Sequence, residues 1–246
     1  MKIFAHRGVF DKYSENSLAA LKSALNSHFS VETDLRLTVD NDFAIIHEDN
    51  LQRLFRKDVP VSSQSLSQLL KVGLASFRQY CQLLKNYPQE LFTAVHLKAD
   101  SQTHTGLELV SQYFTQYNLF NRAFVFDLTI EAARYLRKIN PKVQIAFIIS
   151  EEKFEPTVYL WDEVRDLDFD IVWAAEIRNL YSQKFINTVK RTGRTFYAVS
   201  PDIHRAPEIL HPRAYAGYDF TWKELIAWCV DGICTDFPYM LKRQLK

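Results

Sequence analysis

Cysteine is scarce in this chain, with three residues in 246: Cys81, Cys229 and Cys234. They fall in no CxxC or metal-ligand spacing, and an odd, sparse set excludes a disulfide framework and suits a reducing compartment. Charge of one sign is also missing. Thirty basic side chains face 29 acidic ones, a net charge of +1, so no global field recruits nucleic acid or an anionic membrane. No apolar run approaches the roughly 18 residues of a membrane span, and no cationic leader with a long apolar core precedes His6. The expectation is a cytoplasmic protein without stable membrane association or a nucleic-acid partner; nothing in the composition selects an oligomeric state. Linkers rich in Pro, Gly or Ser, low-complexity tracts and short repeats are absent too, which predicts one domain over residues 1–246. What remains is 47% apolar and 24% charged, an ordinary globular composition in a chain long enough to bury a sizeable core.

Short β-rich apolar runs alternate with longer amphipathic stretches. The expected strands are 2–5, 31–37, 91–98, 123–126, 144–149, 171–174, 195–199 and 232–235. Helical patterns fall between them at 15–26, 65–72, 77–87, 104–117, 129–139, 182–192 and 222–228. Ser14 is the expected cap of the first helix and Thr129 that of the fifth, which stops at Asn140-Pro141. Eight βα-like units in about 250 residues predict an α/β fold, a single-domain (β/α)8 TIM barrel. Periodicity alone also permits an open doubly wound sheet. One region breaks the rhythm: "LTVDNDFAIIHEDNLQRLF" follows the second strand with an Asp-Asn-Asp turn and a second apolar run, which reads as a small β-hairpin excursion.

Chemistry-bearing residues gather where the first strands end. His6 and Arg7 follow strand one, ahead of the turn at Gly8. Glu32 and Asp34 are two apart on strand two, so both project from one face, and His96 and Lys98 repeat that spacing on strand three. His47 follows the hairpin. The carboxyl ends of barrel strands are where such folds keep their active sites, and inward carboxylates are costly unless paired or bound to a cation. Glu32 and Asp34 therefore read either as metal or substrate ligands or as interior carboxylates paired with Arg36 or Lys98. His6 reads as a site residue, with a capped turn residue as the alternative, and His47 on its own reads as a surface residue that gains only from its neighbours. His28, His104 and His211 lie on helical or loop stretches and read as structural or solvated.

"AHRG", "SENSLAAL", "ETDLRLTVDNDFAIIHEDNLQRL" and "VDGICTDFP", in that order, resemble the glycerophosphodiester phosphodiesterase family. The family pattern runs His-Arg-Gly, Glu-Asn-Thr, Glu-x-Asp, Thr-x-Asp-Gly and His-Asp, then Glu-x-Lys on strand three and a closing Thr-Asp-x-Pro. The resemblance is dense over residues 3–53, returns at 95–98 and 231–238, and is thin between. It implies a TIM barrel that hydrolyses a small phosphodiester with one divalent cation, Mg²⁺ or Ca²⁺. By matching position it implies His6 and His47 as the general acid/base pair, Arg7 and Lys98 as phosphate ligands, and Glu32 and Asp34 as metal ligands. That division of labour suits the chemistry: two groups titrating near neutrality handle protons, and cations meet the non-bridging oxygens.

The chain departs from the pattern at "AVHLKAD", where His96 stands in place of the third metal-binding Glu. One imidazole among two carboxylates shifts preference from Mg²⁺ or Ca²⁺ toward Mn²⁺ or Zn²⁺; alternatively, a protonated His96 pairs with Glu32 and displaces the metal. Glu48 replaces the Asp after His47 and keeps its charge. "FYAVSPDIHRAP" offers Ser200, Asp202, His204 and Arg205 as a polar rim around the alcohol or as an ordinary loop. Two alternatives stand beside hydrolysis: a catalytically impaired barrel that binds phosphodiesters or acts as a scaffold, and a related phospholipid head-group lyase.

Overall fold

A computed structural model describes residues 1–245, which form two compact units: Arg7–Val143, and Met1–His6 together with the chain from Gln144 onward. Strand β1 (Lys2–Ala5) opens the chain and belongs to the second of these units.

The unit Arg7–Val143 begins with helix α1 (Leu18–Asn26), whose Ser17 side chain accepts from the Ala20 amide. Ser17, rather than the expected Ser14, is the cap because Asn16 lies in the left-handed region at φ 56°, which interrupts any helical run through residue 16. Strand β2 (Ser30–Leu37) follows, and β3 (Phe43–Ile45) returns antiparallel to it, pairing Leu35 with Ile45 and Leu37 with Phe43. The expected hairpin is therefore present. After it come α2 (Gln52–Phe55), α3 (Leu66–Lys71), the two-residue strand β4 (Ala75–Ser76) antiparallel to β3, and α4 (Phe77–Leu84). Strands β5 (Thr93–Leu97) and β6 (Ala123–Phe126) continue the parallel sheet from β2, with α5 (His104–Tyr117) between them and α6 (Ile130–Ile139) after β6. Thr129 caps α6 and Asn140 ends it, as the sequence predicts.

The second unit contains β7 (Gln144–Ile149), the short β8 (Val158–Tyr159), α7 (Trp161–Val164), β9 (Ile171–Ala175), α8 (Gln183–Arg191), β10 (Thr195–Val199), α9 (Tyr218–Ala227), β11 (Gly232–Thr235) and α10 (Pro238–Gln244). Here β7, β9, β10, β11 and β1 pair in parallel in that order. Strands β5, β6, β7, β9, β10 and β11 are buried almost throughout, the pattern of parallel strands covered on both faces. Phe4 packs edge-on against Trp173 and Tyr197, with ring centroids 5.4 and 4.9 Å away, in the core of this unit. All eight expected strands are present, three in the first unit and five in the second; β4, β8, α2, α7 and α10 are elements the sequence pattern did not mark.

Candidate active site

In the unit Arg7–Val143 the site is built by sheet register. Asp34 on β2 pairs with His96 on β5, so their side chains rise from the same face at the same height. His96 Nδ1 lies 2.9 Å from Asp34 Oδ1 and 3.6 Å from Glu32 Oε1. One ligand atom from each of Glu32, Asp34 and His96 falls within 4.8 Å of the others. Both carboxylates are buried, a placement that demands compensation. Asp34 receives the Asn16 side-chain amide at 2.8 Å, with Arg7 Nε at 3.5 Å and Lys98 Nζ at 3.6 Å. Burial alone would raise the Asp34 carboxyl, but Lys98, His96 and Arg7 outweigh it and hold it well below the usual carboxylate range.

Arg7 sits in the left-handed region at φ 55° with its amide donating to Glu32 Oε2 at 3.1 Å. Gly8 permits the turn: at φ +87°, a Cβ there would lie 2.7 Å from the Ala20 carbonyl carbon in α1, closer than any side chain tolerates. The Arg7 guanidinium is held by Glu15, Nη1 to Oε1 at 2.7 Å.

His96 turns its other nitrogen to Asp127, which follows β6: Nε2 and Oδ2 are 2.7 Å apart, and Lys98 Nζ lies 3.3 Å from the same nitrogen. Burial and Lys98 oppose protonation of His96, yet Asp127 and Asp34 prevail and raise its pKa to about 10. His47 stands 6.3 Å away, ring centroid to ring centroid. Its carbonyl is gripped by Arg36 through Nε at 3.0 Å and Nη2 at 2.7 Å. Burial lowers the His47 pKa against the pull of Glu48, which leaves the ring neutral at pH 7, the form a general base needs.

His6 lies in the other unit, at the carboxyl end of β1. Its amide donates to Thr235 O at 3.1 Å, and Nδ1 lies 2.8 Å from Asp236 Oδ1. Asp236 is itself fixed: its amide donates to Asp202 Oδ2 at 2.8 Å, and Arg205 Nη1 lies 3.4 Å from Oδ2. Asp202 also accepts from the Thr235 and Ser200 hydroxyls, and Trp222 Nε1 donates to Ser200 Oγ at 2.7 Å. Ser200, Asp202 and His204 are therefore buried supports rather than a polar rim; Arg205 alone of the four stays partly exposed. His211 is structural, bonded through Nε2 to Glu176 at 3.2 Å.

A divalent cation fits the Glu32, Asp34 and His96 set. Asp34 Oδ1 is buried and receives no hydrogen bond, with His96 Nδ1 2.9 Å away. An orphaned carboxylate oxygen facing an imidazole nitrogen and a second carboxylate is a suitable donor set for a cation. The opposite ring nitrogen rests on Asp127, the arrangement that orients metal-binding histidines elsewhere. Among the described residues no helix is long and apolar enough to cross a membrane.

Residues 6–240 match the glycerophosphoryl diester phosphodiesterase family. The chain belongs to that family. As a member of the glycerophosphoryl diester phosphodiesterase family its reaction class is that of a phosphoric diester hydrolase. It is 25% identical over 252 residues to a glycerophosphodiester phosphodiesterase of Bacillus altitudinis, covering 96% of this chain and 95% of the relative. Among solved structures, a glycerophosphodiester phosphodiesterase from Agrobacterium tumefaciens superposes with a TM-score of 0.74 at 18% identity, over 98% of this chain and 99% of that one. An Oleispira antarctica phosphodiesterase, solved with the product sn-glycerol-3-phosphate, gives 0.75 at 15% identity, over 100% and 96%. These likenesses show the fold of the chain as a whole, α/β and a (β/α)8 barrel, as the strand count predicts.

The residues that the sequence reading left without a role are Asn16, Glu15, Asp127 and Asp236. Asn16 and Glu15 lie inside "SENSLAAL" and Asp236 inside "VDGICTDFP". Asp127 carried one positional signal: it is the first residue after a barrel strand.

Proposed function

We propose that this chain hydrolyses small glycerophosphodiesters to an alcohol and a phosphomonoester, with one divalent cation held by Glu32, Asp34 and His96. The observation that carries this reading is the cluster of buried Glu32 and Asp34 with half-buried His96, flanked by Arg7 and Lys98, in a chain of this family. The bound cation would polarise a phosphoryl oxygen and lower the charge that builds during transfer. Arg7 offers a planar fork to the phosphate and Lys98 a point charge. His47, neutral because it is buried, takes a proton from the attacking hydroxyl or water. His6, whose Nδ1 is held by Asp236, delivers or accepts the second proton at the alcohol oxygen. The imidazole at position 96 favours Mn²⁺ or Zn²⁺ over Mg²⁺ or Ca²⁺. The family match runs through both units, which supports reading the chain as one catalytic domain.

A second reading rests on a different observation. With its pKa raised to about 10, His96 can bridge Asp34 and Asp127 as an imidazolium and occupy the cation's place, leaving a barrel that binds phosphodiesters without cleaving them. Assays of phosphomonoester release with each of Mn²⁺, Zn²⁺, Mg²⁺ and Ca²⁺ separate the two. The first reading expects turnover that His6→Ala and His47→Ala abolish, with His96→Glu moving preference toward Mg²⁺ and Ca²⁺. Phosphodiester binding without turnover under every cation supports the second.

A further inference from the structure

Arg53 lies on the short helix α2 and its side chain is 47% exposed, a place where an isolated ion pair is worth almost nothing. Its guanidinium is nevertheless fully engaged by two carboxylates from separate segments. Nε binds Glu48 Oε1 at 2.6 Å, Nη1 lies 3.3 Å from Glu15 Oε2, and Nη2 contacts Glu15 Oε1. Each carboxylate in turn touches a group with a chemical task. Glu15 Oε1 accepts from Arg7 Nη1 at 2.7 Å, and Glu48 Oε1 lies 3.4 Å from His47 Nδ1. The result is a chain of alternating charge, Arg7, Glu15, Arg53, Glu48, His47, with Arg53 at its centre.

We propose that Arg53 is a positioning residue that sets the phosphate-binding Arg7 through Glu15 and the proton-transferring His47 through Glu48. A planar fork can hold two carboxylates in fixed directions at once, whereas a lysine ammonium is a single point of charge. With Nδ1 turned to Glu48, the His47 ring presents Nε2 to the reaction. With Glu15 pinned from behind, the Arg7 guanidinium keeps one orientation toward a phosphate. Removing Arg53 leaves two like charges without their shared cation and frees both reacting groups together.

The inference rests on the hydrolase reading, and its test separates the two. In Arg53→Ala, kcat on a glycerophosphodiester should fall and KM should rise, each about tenfold or more, the usual cost of losing such a support. Glu15→Gln should mainly raise KM, and Glu48→Gln should mainly lower kcat. Guanidinium at about 20 mM should restore much of the loss in Arg53→Ala, because the position is open to solvent; Arg53→Lys should not recover wild-type values. Melting temperatures should match wild type within about 2 °C. Calorimetric binding of inorganic phosphate should weaken about tenfold in Arg53→Ala and Glu15→Gln but not in Glu48→Gln. Arg53→Ala with wild-type kcat, KM and phosphate affinity overturns the inference, as does a loss that follows melting temperature and ignores guanidinium. Absent turnover in the wild type overturns the hydrolase reading, while phosphate binding still decides the role of Arg53.

Discussion

Between Asp34 and Asp127, His96 is drawn toward its protonated form, because the two carboxylates outweigh burial and Lys98 and raise its pKa to about 10. A cation held by this imidazole would displace a proton from it. Metal loading at pH 7 should therefore release about one proton per cation, and apparent affinity should fall about tenfold for each unit of pH lowered. Calorimetry in buffers of different ionisation enthalpy reads this directly; proton release that persists in His96→Gln would place the site elsewhere. His204 gives the opposite case. Burial depresses its pKa from 6.5 to about 4, so the unfolded chain takes up a proton that the folded chain refuses. Stability is fully present above about pH 6.5 and is lost as pH falls toward 4, by roughly 3 kcal/mol from this group. Denaturant midpoints from pH 7 to 4 should flatten in His204→Asn. The seven residues proposed for the site were nominated from the sequence because they lie in motifs or at strand ends. Asp127 and Asp236 also stand at a strand end and in a motif, but their partners were not legible: they reach His96 and His6 across 31 and 230 residues, through strand pairing that spacing does not encode.

At the scale of elements, propensity and capping placed most boundaries within one to four residues, and the errors have local causes. Helix α1 starts at Leu18 rather than Glu15 because Asn16 is committed elsewhere. Its side chain donates to Asp34 and accepts from the Thr33 hydroxyl at 2.9 Å, while its amide binds the Arg7 carbonyl at 2.9 Å. The motif that resembles a helix start is thus bent into the site, and helix formation waits for Ser17. Ser17→Ala should cost about 1 kcal/mol of stability, whereas Ser14→Ala should cost well under half of that. Thermal denaturation of the two variants distinguishes them, and equal losses would return the cap to Ser14. Of the elements that the pattern missed, β4, β8, α2 and α7 are two to four residues long, too short for a period to register, and α10 has only seven residues.

For the whole molecule, alternation of eight apolar runs with amphipathic stretches predicted an α/β fold with room for eight βα units, while closure into a barrel rather than an open sheet is shown by the likeness to solved structures. The family and its reaction class follow from residues 6–240. Hydrolysis is proposed to depend on a cation held at Glu32, Asp34 and His96. It is tested most directly by stripping the protein with chelator and following phosphomonoester release from a glycerophosphodiester as each cation is restored. The stripped protein should show no turnover, recovery should come with Mn²⁺ or Zn²⁺ ahead of Mg²⁺ and Ca²⁺, and Asp34→Asn should not recover. Turnover that survives chelation unchanged, or an Asp34→Asn variant as active as wild type, would contradict it.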